Sequence, residues 1–186
     1  MASTADGLEA LDEAAVARLE GRFECIDDRF VEKGPMGSQA NELALLLTWH
    51  LMTYVRAHRL GRCFGDNCVY KIFENPRRSR IPDGSFIRAG RLPDGRSPRG
   101  DMRIAPDLAL EVVSPNDVVE NLNERIGDML KAGTRLLWVI VPGSRNAYVY
   151  RADGTVSLLS ADDTLDGEDV VPGFTCRLGD LFDGLS

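Results

Sequence analysis

The sequence of 186 residues predicts an α/β fold, and three stretches carry that expectation. Residues 108–113 read as a buried strand, residues 118–132 as an amphipathic helix, and residues 136–141 as a near-continuous apolar strand. A strand buried on both faces has no need of polar alternation. Strand, helix and strand in that order imply a right-handed parallel crossover. The chain is long enough for one compact domain with a substantial core, and a hydrophobic fraction of 44% excludes wholesale disorder.

The elements follow in chain order. Leu8, Leu11, Ala15 and Leu19 fall on one face of a short helix expected over residues 8–22. Residues 23–31 read as a strand, broken by Gly34, Pro35, Met36 and Gly37. Ser38 can cap a helix running to about residue 59, with Leu43, Leu46, Leu47, Leu51, Tyr54 and Val55 on its core face. Gly61 is expected to end it. Residues 67–73 and 81–87 read as strands joined by a basic connection over residues 75–80, and residues 90–100 as a mobile loop. Ser114 resembles an N-cap for the crossover helix, with Pro115 at its first position and Asp117 at its third. Val118, Leu122, Ile126, Met129 and Leu130 face inward, and Gly133 stops that helix. Residues 147–150 and 156–159 form an expected hairpin turning at Asp153 and Gly154, and Val170, Val171, Phe174 and residues 178–182 supply late apolar anchors.

Charge is unevenly spread. The net charge is −7, and beyond Arg151 eight acidic residues face only Arg177. That balance argues against a general nucleic-acid coat. Between Arg77 and Arg103, however, eight arginines stand against Asp83, Asp94 and Asp101. Such a run is either a phosphate-facing patch or a solvated loop, and composition leaves both open. The four cysteines show no paired spacing and are expected as free thiols. Cys63 and Cys68 beside His58 imitate part of a zinc site, but no second ligand pair follows. No apolar run is long enough to span a bilayer and the first residues are not a secretory signal, so a cytoplasmic protein with no membrane partner is expected.

Two carboxylates stand out. Glu111 lies inside the apolar run of the central strand, where a charge is costly unless compensated. Asp83 follows Pro82 on the preceding strand. Acids on adjacent strands can converge on one hard cation, and magnesium suits a site with only one or two protein carboxylates. The ion would polarise a phosphoryl group and acidify a bound water. Each acid also has a plain structural reading. Asp83 could occupy a turn with Gly84, Glu111 could pair with a buried arginine, and Asp107 could cap the strand entrance without binding metal.

Several marks stand together: Arg80-Ile81-Pro82-Asp83, Pro106-Asp107 with Glu111-Val112-Val113-Ser114-Pro115, Leu137-Trp138-Val139-Ile140-Val141-Pro142, and Asp169-Val170-Val171-Pro172-Gly173-Phe174. With them the chain resembles the bacterial putative restriction endonuclease family, a branch of the PD-(D/E)XK nucleases. The resemblance implies a restriction-endonuclease-like mixed central sheet flanked by helices, with additional antiparallel strands. It implies one nuclease-like domain over residues 1–186, with a core at 22–182 and a flexible start at 1–7. It further implies Asp83 and Glu111 as ligands of Mg2+ or Mn2+, the Val112 carbonyl completing the site, and Glu24 as a third acidic contributor. DNA is the implied substrate, and a homodimer is compatible with the resemblance.

The chain departs from that pattern in two places. The position two residues after the glutamate, a lysine elsewhere in the superfamily, is Val113. The family's alternative lysine position, in the following helix, holds Arg125. Arginine stays protonated and cannot act as a base, but it can clamp a phosphate. Lys131 is a further cation suited to the helix end. Relatives often carry a histidine where this chain has Ser38-Gln39-Ala40-Asn41, and His50 and His58 do not match it. A metal-dependent endonuclease is therefore expected. The alternative is a weakened or inactive nuclease-fold module acting in nucleic-acid binding or assembly.

Overall fold

The computed structural model describes residues 21–115 and 117–183. The helix expected over residues 8–22 lies outside that range except for Gly21 and Arg22, which are not helical. The main sheet has six strands in the order β10 (Val156–Leu159), β9 (Asn146–Arg151), β8 (Leu136–Val141), β7 (Leu108–Val112), β6 (Gly84–Arg88) and β3 (Gly61–Gly65). Only β7 and β8 run parallel, joined by helix α2 (Val119–Lys131) as the sequence predicts. A second, antiparallel sheet has the order β2 (Arg29–Glu32), β1 (Phe23–Ile26), β5 (Arg77–Arg80), β4 (Tyr70–Glu74). β11 (Thr164–Asp166) pairs with β12 (Thr175–Arg177) before the short helix α3 (Leu178–Phe182).

Side-chain alternation divides the core into two layers. Leu108, Leu110 and Val112 of β7, with Leu136, Trp138 and Ile140 of β8, pack against helix α1 (Ser38–His58) and against Val170, Val171, Phe174 and Leu178. Ala109, Leu137 and Val139 point the other way, onto Ile126 and Met129 of α2. β8 is covered on both faces, which accounts for its unbroken apolar run. No helix among the described residues is long and apolar enough to cross a membrane.

Local chemistry overrides several sequence expectations. The strand expected over residues 23–31 is a hairpin. Asp27 and Asp28 both adopt positive φ (49° and 66°) and turn β1 into β2. Short polar side chains tolerate that conformation, so the turn forms without glycine. The basic connection at 75–80 is largely strand β5, paired with β4 and β1. α1 is capped by Gly37 rather than Ser38, and it ends at Arg59 in the left-handed region (φ 57°). Gly61 instead opens β3, where a Cβ would collide with the Ile87 carbonyl oxygen. Ser114 does not cap α2, whose N-cap is Val118. The Ser114 N–H donates to the Asp117 carboxylate (2.7 Å), and this tight turn delays the helix.

Candidate active site

Asp83 sits at the entrance to β6. Gly84 pairs with Leu110 across the β6–β7 ladder, and the Asp83 N–H donates to the Leu110 carbonyl at 2.9 Å. One step further along that register places Asp83 opposite Glu111, on the sheet face covered by α2. Gly84 permits this approach. A side chain there would strike Thr48 on α1 and crowd Leu110. Asp83 and Glu111 are both buried, at 4% and 3% exposure.

The Asp83 carboxylate is held at both ends. Oδ2 accepts the Val112 N–H at 2.8 Å, and Oδ1 accepts the Lys33 ammonium at 2.8 Å. Lys33 follows β2 directly and also donates to the Ile81 carbonyl. Burial works to lower the Lys33 pKa, but Glu111 and Asp83 outweigh it, so the pKa is raised and the ammonium keeps its charge.

Glu111 is treated differently. No hydrogen bond reaches its carboxylate among the described residues, and Arg125 Nε stands 3.8 Å away. Burial pushes its pKa up to about 7, reinforced by Asp83 and opposed by Lys33 and Arg125. Arg125 is itself buried on α2 and pairs through Nη2 with Asp117 at 3.2 Å. Its Nε has no hydrogen-bond partner among the described residues. Buried polar atoms are normally satisfied, so an orphaned guanidinium N–H beside an unbonded glutamate sets this cluster apart.

Around this cluster lies a fully bonded one. Glu24 accepts the Ile81 N–H through Oε1 (2.8 Å) and Arg80 through Oε2 (2.9 Å). Arg80 also donates to Asp128 from Nε (2.9 Å) and Nη2 (2.7 Å). Arg78 joins Asp27, Glu124 and Asp128. Asp107 is taken by the Arg88 N–H (2.8 Å) and Arg91 (2.9 Å), the capping arrangement the sequence suggested for it. These contacts give most of the arginines in the 77–103 run partners within the chain. Arg77, Arg78, Arg80, Arg91 and Arg103 all form ion pairs within the chain.

Of the residues expected at the site, Asp83, Glu111, Val112 and Arg125 come together. Glu24 lies beside them with both oxygens committed to Arg80 and Ile81. His58 is exposed and stacks on Tyr54, and His50 meets the edge of Trp49. Lys33 was not foreseen. Its signal is the Asp27–Asp28 turn, which folds residues 29–33 back beside Phe23 and Glu24. A single strand over residues 23–31 would have carried Lys33 away from Asp83. Among the described residues no group of three or more His, Cys, Asp or Glu side chains is placed to enclose a metal. Asp83, Glu111 and the Val112 carbonyl are oxygen donors of the kind a small hard cation takes, with water and substrate filling its remaining positions.

The family model described as Uma2, putative restriction endonuclease, matches residues 8–179. The fold is shared with a putative nuclease belonging to DUF820 from Anabaena variabilis, known from a crystal structure. The TM-score is 0.76 at 22% identity, over 91% of this chain and 96% of that one. No curated protein matches the sequence.

Proposed function

Because this chain belongs to the putative restriction endonuclease family, we propose that it is a Mg2+- or Mn2+-dependent endonuclease hydrolysing DNA phosphodiester bonds. One observation carries the reading. A buried pair of acids shares one sheet face, and among the described residues Glu111 is left without a hydrogen bond beside the unpartnered Nε of Arg125. Asp83, Glu111 and the Val112 carbonyl would hold the ion. Bound there, it would supply charge to polarise the phosphoryl group and to acidify water.

The chain's own residues divide the remaining work. Arg125 offers a fixed guanidinium to a phosphate oxygen and stabilises the negative charge that develops on it. Lys33 supplies the ammonium that Val113 cannot, from just beyond β2 of the second sheet rather than from the glutamate strand. In the structure it neutralises Asp83. Glu24 positions the site, because its grip on the Ile81 N–H fixes the chain two residues before Asp83.

The test is cleavage of plasmid DNA with added Mg2+ or Mn2+, comparing the native chain with Asp83→Ala, Glu111→Ala and Lys33→Met. The expected outcome is loss of about a hundredfold or more in each variant, with folding verified by circular dichroism. Equal cleavage in all four proteins overturns the assignment. A second reading, an inactive module, is favoured by one fact: Lys33 and Arg125 already stand as counter-ions to Asp83 and Glu111. It predicts no turnover in the native chain and DNA binding indifferent to added metal.

A further inference from the structure

A cavity of about 580 Å3 opens at the other end of β6 from Asp83. The β3–β6 ladder pairs Gly65 with Gly84 near Asp83 and Gly61 with Arg88 near the cavity. At ~3.4 Å per residue the two ends are roughly 14 Å apart. The walls include Arg56, Arg59, Arg62 and Arg88, with Met52 and Leu92 as apolar surface and no acidic residue among the lining groups.

Those arginines are not used as the others are. Arg62 donates to the Gly95 carbonyl from Nη2 (2.9 Å) and Nε (3.2 Å), tying the 93–95 turn to the cavity rim. Arg56, Arg59 and Arg88 form no ion pair among the described residues, whereas every arginine of β5 is paired. Complementing the carbonyl end of α1 accounts for Arg56 and Arg59. It does not account for Arg62 and Arg88, which come from strands. Cys63 adds no negative charge, since burial pushes its thiol up to about 12. A chain carrying 29 acidic residues against 22 basic ones has nevertheless gathered four cations around one concavity, with no counter-ion among the described residues.

We propose that this cavity is a second binding site, for a nucleotide phosphate. The guanidinium groups of Arg56, Arg59 and Arg88 take the phosphate oxygens, and Met52 and Leu92 cover the apolar face of the sugar and base. The ligand is either a free nucleotide or the phosphorylated end of a strand, which present the same chemistry. Nothing here depends on the metal reaction, so failure of one proposal leaves the other standing.

Isothermal titration in excess chelator tests it, with ATP, inorganic triphosphate and a short oligonucleotide bearing a 5′-phosphate or a 5′-hydroxyl. Saturable one-site binding is expected. Arg56→Ala/Arg88→Ala should weaken it by about tenfold or more, the loss expected on removing hydrogen bonds to a charged group. The affinity should stay unchanged in Asp83→Ala, and Arg56→Lys/Arg88→Lys should restore part of it. Tighter binding of ATP identifies a free nucleotide, and tighter binding of the 5′-phosphorylated strand identifies a strand end. No saturable binding by any phosphorylated probe, equal affinity in the alanine pair, or loss of binding in Asp83→Ala overturns the proposal.

Discussion

Two buried ionic clusters lie side by side under α2, and they are built to opposite standards. In the Arg80 cluster, Nε, Nη1 and Nη2 all donate, and Glu24 accepts on both oxygens. In the Glu111 cluster, the glutamate accepts nothing and Arg125 Nε is orphaned, among the described residues. A saturated network ties the second sheet to α2 and positions what lies above it. An unsaturated one is tolerable only where burial is offset by something that arrives from outside.

The largest expected effect falls on the saturated side. Arg80→Met leaves Glu24 and Asp128 buried with their shared counter-ion removed, so unfolding in urea should show a loss of about 3–5 kcal/mol. A loss no greater than that of an exposed pair such as Arg103 with Glu74 would break the contrast, because Arg80 would then be dispensable.

The unsaturated side should respond to pH instead. The folded-state pKa of Glu111, about 7, lies above its ordinary 4.5. Its contribution to stability is therefore fully present below about 4.5 and is lost as pH rises through about 7. Glu111→Gln removes that dependence. Relative to the variant, the metal-free native protein should lose up to about 3 kcal/mol between pH 5 and 8, from the size of the shift. Parallel stability curves for the two proteins would show that Glu111 is solvated after all and would dissolve the comparison.

How much of this was legible in the sequence follows the same division. The β7–α2–β8 crossover was readable because apolar periodicity reports burial directly, and the Leu108, Leu110, Val112 face lies where alternation puts it. Asp83 and Glu111 were readable because a carboxylate in an apolar strand is anomalous. β5 was not, since four residues rich in arginine give no apolar pattern. Their burial is secured by Glu24, Asp27, Glu124 and Asp128, all at least 46 residues away or across a turn that contains no glycine. Lys33 was hidden for the same reason. Its partner Asp83 is 50 residues distant, and only the Asp27–Asp28 turn brings them together.

The smallest expected effect tests which cation completes the site. Arg125 occupies the position where the family lysine is expected, yet Lys33 already delivers an ammonium to Asp83 at 2.8 Å. If that ammonium serves the reaction, Arg125→Lys gives the site nothing it lacks. The exchange forfeits the Nη2 hydrogen bond to Asp117 and the Nε that stands beside Glu111. Cleavage should therefore change by less than about threefold, under ~1 kcal/mol of transition-state stabilisation. A rise of tenfold or more would mean that the chain was waiting for a lysine on α2, and would reduce Lys33 to a counter-ion that keeps Asp83 buried.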